Sequence, residues 1–233
     1  MKLLTRAIAF TAAAALAAPQ AARAQTYDVG ADFSLSNPSG AFTYGFKTST
    51  LGAFTAYTLT GSSGSLEFHT ANVGGDNTPG VYHNGGAAFT GGSVTYLAGE
   101  TGFHPGPNGE ISVIRFTAPT AGEYTLASRF YGIDNVGTTT NVNVVLPGYA
   151  VTFNVGAITG TRAPSERTFD AVLNLLAGDF VDFQVDRANG NYAFDSTAID
   201  ASLTLAAVPE PATVALLGGG LLALAGLARR RRA

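Results

Sequence analysis

The sequence predicts an all-β protein, an antiparallel β-sandwich or jelly roll, with a signal peptide before it and a transmembrane helix after it. Three observations carry this. Between Gln25 and Ala207, apolar residues recur with period two, the pattern of strands with one buried face. Gly- and Pro-containing turn segments interrupt those runs. No stretch of that region sustains three helical turns.

Residues 1–24 read as a signal peptide. Lys2 and Arg6 give the positive start, and Ala7 to Ala18 is an apolar run of 12 residues. Pro19 breaks it. Ala22-Arg23-Ala24 then forms an A-x-A cleavage site, leaving Gln25 as the first mature residue. Such a leader implies the Sec translocon as the first partner.

Residues 25–207 read as one sheet-rich ectodomain. Tyr124, Leu126 and Phe130 point one way, as do Val142, Val144 and Leu146, which alternate with Asn141 and Asn143. Val181, Phe183 and Val185 alternate with Asp182, Gln184 and Asp186, which predicts a solvated acidic outer face. Ile199, Ala201, Leu203 and Leu205 complete the set. Turn chemistry separates them at Asn37-Pro38-Ser39-Gly40, at Ala118 to Glu123 and at Leu146-Pro147-Gly148. Gly122 and Gly178 open two similar turns, each placed where a positive φ is cheap. From Gly61 to Gly109 the expectation is short strands near Leu66–Phe68 and Val94–Leu97 between long surface loops.

Residues 208–233 read as a second address. Ala212 to Ala228 is an uncharged stretch of 17 residues, about 26 Å as a helix, at the lower limit for spanning a bilayer. Arg229, Arg230, Arg231 and Arg232 follow and hold that end on the cytoplasmic side. Two prolines keep Val208-Pro209-Glu210-Pro211 extended.

Composition narrows the function. Only 12% of the 233 residues are charged, against about 25% in ordinary domains. The region 25–207 carries six basic and fifteen acidic residues, a formal charge of −9, which disfavours nucleic acid as a partner. With no Cys there is no disulfide framework, thiolate nucleophile or Cys-held metal. No G-x-S-x-G, H-E-x-x-H or Walker pattern occurs, so no catalytic residues are assigned and the chain is read as a non-enzyme.

Pro209-Glu210-Pro211, the apolar stretch and the terminal arginines, in that order, resemble the PEP-CTERM sorting domain of Gram-negative bacteria. The resemblance implies that a membrane-embedded exosortase handles the chain, and that the protein is anchored transiently before it reaches the surface. Asp32-Phe33-Ser34 with Asn37 to Gly45 looks like the opening motif of exported PEP-CTERM ectodomains. The order of elements from His104 to Leu205 is similar to their jelly rolls, a fold similar to galactose-binding-like carbohydrate modules.

Three function classes follow: first a non-catalytic surface or extracellular-matrix component, next a carbohydrate-binding module for extracellular polysaccharide, and last a hydrolase. Sugar sites combine aromatic faces with a few polar groups. On that ground Tyr131 and Asp134 at one strand end, Tyr192 in the 189–194 loop and His104 are the candidate ligand contacts. Phe103, Tyr149, Arg129 and Asn191 are further material. Hard cations need several oxygens, so Asp134, Asn135, Asp195 and Asp200 are the candidates for a structural calcium; no other metal or cofactor is expected. Asp182 and Asp186 are a carboxylate pair of the kind glycoside hydrolysis uses, but an outward acidic strand face kept soluble by charge is the preferred reading.

Overall fold

A computed structural model describes residues 24–146, 151–188, 190–207, 218–220 and 229. Ala24–Ala206 forms one compact unit. The leader through Arg23, the sorting triplet, most of the 212–228 stretch, Arg230 to Arg232, the Pro147-Gly148 turn and Tyr149 lie outside the described residues. Residues 218–220 are helical. Among the described residues, no helix is long and apolar enough to cross a membrane.

Sixteen strands are described: β1 (Gln25–Asp28), β2 (Phe42–Lys47), β3 (Thr55–Ala56), β4 (Leu59–Ser63), β5 (Leu66–Thr70), β6 (Gly80–Asn84), β7 (Phe89–Gly91), β8 (Val94–Tyr96), β9 (Thr101–His104), β10 (Ile111–Thr117), β11 (Gly122–Gly132), β12 (Thr138–Leu146), β13 (Val151–Gly160), β14 (Arg167–Leu175), β15 (Phe180–Arg187) and β16 (Thr197–Leu205). One sheet runs β14-β11-β16-β9-β6-β5-β4, with β1 also paired to β16; the other runs β13-β12-β15-β10-β2-β3. The pairings are antiparallel.

The connectivity of β9 to β16 defines a jelly roll. Those eight strands divide into two four-stranded halves, β14-β11-β16-β9 and β13-β12-β15-β10. The chain crosses between the sheets at every connection except β12 to β13, which is the double Greek key of that fold. Strands β2 and β3 widen one sheet, and β4, β5 and β6 widen the other. The residues that alternation points inward form the core: Tyr124, Leu126, Phe130, Val142, Val144, Phe183, Ile199 and Leu203 belong to one buried cluster. Leu205 packs against it only half-buried.

Three expectations need correction. The face of β15 that carries Asp182 and Gln184 is not solvated, because the segment between β2 and β3 folds over it. Asp182 is 0% and Lys47 3% exposed, with Lys47 Nζ 2.6 Å from Asp182 Oδ2. Arg115 closes the group, donating from Nε and a terminal nitrogen to the two Asp182 oxygens at 2.7 and 2.9 Å. Its guanidinium is sandwiched between Phe54 and Phe180, 4.2 and 3.6 Å from the ring centroids. Asp182 is therefore a structural counter-ion, not an acid or base available to a substrate.

The region 61–109 is also more regular than composition suggests, supplying β5 to β9 and most of one sheet flank. Finally, Gly178 has φ +89° while Gly122 opens β11 outside the positive-φ region. What Gly122 supplies is space: a Cβ there would lie 2.5 Å from the Leu205 side chain.

Candidate functional site

The site forms on the outer face of the larger sheet, where strand register brings aromatic residues into one row. Phe68 on β5 pairs with Tyr82 on β6, Tyr82 with Gly102 on β9, Gly102 with Ala198 on β16, and Ala198 with Tyr131 on β11. Because strand side chains alternate, all five positions share the face away from the core. Gly102 matters by its missing side chain: a Cβ there would meet the backbone oxygen of Thr197 at 2.9 Å and the Tyr96 ring at 3.1 Å. The gap lets Tyr96 lie down on the sheet.

Tyr96 belongs to the β7–β8 hairpin, which pairs Phe89 with Tyr96 and Gly91 with Val94. The hairpin is fastened by a bridge between Val94 and Asp134, and by a hydrogen bond from Asn135 N to Ser93 O at 2.7 Å. It packs a second small core from Leu66, Tyr96, Tyr131, Ile133 and Ala198, with Tyr82, Phe89 and Val94 against it. Between the hairpin and the sheet lies a cleft of about 490 Å³, well within the range of ligand pockets.

One wall of the cleft is aromatic. The Phe68 and Tyr82 rings lie 5.9 Å apart between centroids, and Tyr82 and Tyr96 6.1 Å. The other wall is polar and comes from two loops. Tyr192 donates its hydroxyl to Asp76 Oδ2 at 2.9 Å, and Thr78 donates to Asp76 Oδ1 from its backbone N at 3.1 Å and its hydroxyl at 2.6 Å. Burial pushes the Asp76 carboxyl up, but these hydrogen bonds outweigh it and hold the group below the usual carboxylate range. Tyr82 donates to Asn77 O at 2.5 Å.

His104, at the end of β9, meets Tyr192 edge-on at 6.0 Å, and its Nδ1 lies 2.7 Å from Pro105 O. Burial lowers its pKa despite that carbonyl and despite the nearby Asp76 and Asp134 carboxylates. Asp134, 1% exposed, accepts from Ser93 Oγ at 3.1 Å and from Val136 N at 3.2 Å. Phe194 stands at the rim, 44% exposed and with φ +66°. An aromatic residue in that region is strained, and such strain collects at binding sites.

Of the four residues singled out in the sequence, His104, Asp134 and Tyr192 line this one cleft and Tyr131 does not. Tyr131 is only 9% exposed, and its hydroxyl donates to Glu100 Oε1 at 2.8 Å. It borders a shallower hollow of about 280 Å³ with Arg129, Arg162 and Glu166. Phe68, Tyr82, Tyr96 and Asp76 were not singled out. The signal that finds them is register: aromatics opposite one another on short strands, with a glycine beside them. Phe103 is fully buried in the main core.

The proposed calcium set is not assembled. Asp200 is ion-paired with Arg129, Asp195 accepts from Thr139 N and Oγ1 at 3.1 and 3.0 Å, and Asp134 is held as described. Among the described residues, no group of three or more His, Asp or Glu side chains could hold a metal ion. His69 and His83 serve the interior: His69 Nε2 lies 2.7 Å from Ser34 O, and His83 Nδ1 2.8 Å from Thr101 Oγ1.

Fold and site together define an antiparallel jelly-roll protein with an aromatic-walled cleft outside its sandwich core. Its C-terminal residues 207–232 carry the PEP-CTERM protein-sorting motif. No curated protein matches the chain in sequence. Among solved structures it is similar to a mutant of the family 29 carbohydrate-binding module CBM29-2, at 13% identity over 71% of this chain and 91% of that one, TM-score 0.27. It is also similar to Xyl-CBM35 in complex with a glucuronic-acid-containing disaccharide, at 16% identity over 55% and 94%, TM-score 0.31. The jelly roll itself rests on the strand connectivity of this chain.

Proposed function

We propose that the protein is a non-catalytic surface protein, exported through the Sec translocon, sorted by an exosortase of a Gram-negative bacterium, and equipped to hold an extracellular glycan in its outer-face cleft. The observation that carries the binding half is the cleft: flat aromatic faces on one side, hydrogen-bonding groups on the other. Sugar rings present an apolar face and an edge of hydroxyls, and so match both walls. Affinity electrophoresis of the full-length protein against a panel of polysaccharides tests this. Phe68→Ala and Tyr192→Ala should each weaken retention at least about tenfold, a loss of ~1.4 kcal/mol. Retention that neither variant changes would place any sugar site elsewhere and favour a matrix component without a sugar site.

The sorting half rests on Pro209-Glu210-Pro211 ahead of the apolar stretch and the arginines. In this reading residues 212–228 anchor the exported chain until the exosortase processes it. Glu210→Ala should leave export intact while uncleaved precursor accumulates in the inner membrane. Fractionation with an antibody to the ectodomain distinguishes the two; normal surface release of the variant would refute the assignment.

A further inference from the structure

The ligand class can be narrowed by charge, on the premise that the cleft holds a glycan. Two carboxylates, Asp76 and Asp134, line it, and among the described residues no Lys or Arg does. Neither carboxylate has an ion-pair partner among the described residues: their hydrogen bonds come from Thr78, Tyr192, Ser93 and a backbone amide.

Four of the ectodomain's six cations are ion-paired outside the cleft. Lys47 and Arg115 are tied to Asp182, Arg129 to Asp200 and Glu166, and Arg162 to Glu100. Arg167 donates to Glu166 O and Arg187 to Pro107 O. Among the described residues no Lys or Arg lines the cleft to receive a uronate or a sulfate, and a carboxylated sugar placed there would face the exposed Asp76 and the buried Asp134. Like charges repel, more at the buried carboxylate than at the exposed one.

The complementary group is an ammonium. It makes charge-assisted hydrogen bonds to carboxylates and is attracted to the negative faces of Phe and Tyr rings. Both acceptors stand in this cleft. We propose that it selects a glycan bearing free amino groups, a de-N-acetylated hexosamine polymer, over neutral and acidic glycans. The amino group sits toward Asp76 and Asp134 while the sugar ring lies on Phe68 and Tyr82.

The test uses full-length protein in detergent micelles and isothermal titration with defined oligosaccharides. The probes are a glucosamine hexamer, its fully N-acetylated form, a neutral glucose hexamer, a galacturonate hexamer and a lysine hexapeptide. The glucosamine hexamer should bind at least about tenfold more tightly than the N-acetylated form, and the galacturonate hexamer should not bind. Asp76→Asn and Asp134→Asn should each remove most of that preference, read as the ratio of the glucosamine hexamer's affinity to that of its N-acetylated form. Asp170→Asn, at an exposed position of β14 outside the cleft, should change nothing, which separates the cleft from general attraction to an acidic surface.

Equal affinity for the amino and N-acetylated hexamers would overturn the charge selection and leave the glycan reading standing. Binding of the lysine peptide as tightly as the amino sugar would assign the cleft to cationic peptides and overturn the proposal. Failure of every hexasaccharide to bind would overturn the glycan reading itself.

Discussion

Asp195 anchors the loop that carries Tyr192 and Phe194, yet its carboxylate is only half satisfied. One oxygen accepts twice from Thr139, while Oδ2 is buried with no hydrogen-bond partner among the described residues. Burial accordingly raises its pKa to about 6, from an ordinary value near 3.9. A folded pKa above the unfolded one means the contribution to stability is complete below about pH 4 and is lost as pH rises through 6. At pH 7.5 the ionised group therefore destabilises the fold. Asp195→Asn keeps an oxygen for Thr139 and removes the charge. The variant should melt several degrees above the parent at pH 7.5 and at the same temperature near pH 4, as read by thermal unfolding at the two pH values. A Tm advantage that persists unchanged at pH 4 would refute this account.

Among the elements, β15 shows how far a strand pattern can be read. The inward set Val181, Phe183 and Val185 was legible because alternation reports one sheet face against the other, and these residues are fully buried. The fate of the opposite face was not legible, since it depends on a segment far away in sequence. Residues 48–54 cover it, with Thr50 O accepting from Gln184 Nε2 at 3.0 Å. The same limit hid the cleft: Phe68, Tyr82 and Tyr96 look like ordinary strand aromatics until cross-strand register places them outside the main core. His104, Asp134 and Tyr192 were found because polar and aromatic residues in loops are informative on their own. The covered face yields a sharp expectation. A solvated aspartate tolerates replacement within about 0.5 kcal/mol, but Asp182→Ala leaves Lys47 and Arg115 facing each other with no counter-ion. It should cost about 3–5 kcal/mol, measured by urea denaturation; a loss below 1 kcal/mol would mean that the covering segment opens to water.

For the molecule as a whole, the pH response is set by its three histidines acting together. His69 and His83 pack in and beside the sandwich core and His104 lines the cleft, and burial lowers the pKa of each, against the partial offset of neighbouring carbonyls and carboxylates. A depressed histidine pKa means that the unfolded chain binds protons the folded one refuses. Stability is then complete above the unfolded value near 6.5 and is lost as pH falls below it. Asp195 pulls the other way over part of that range, and Asp186, raised by burial against the hydrogen bonds of Asn141 and Asn143, does so lower down. Three groups against one in the window from 6.5 to 5 leave the histidines dominant. Unfolding free energy from denaturant titrations should therefore fall as pH drops from 7 to 5, with a slope below the limit of about 4 kcal/mol per pH unit that three protons allow. The decline should be steeper in Asp195→Asn, which lacks the opposing carboxylate. A flat profile would mean that the histidines are as freely protonated in the folded protein as in the unfolded chain. A slope no steeper in Asp195→Asn would mean that the carboxylate is ionised at no cost, and the loop under the cleft would then need another explanation for its orphaned oxygen.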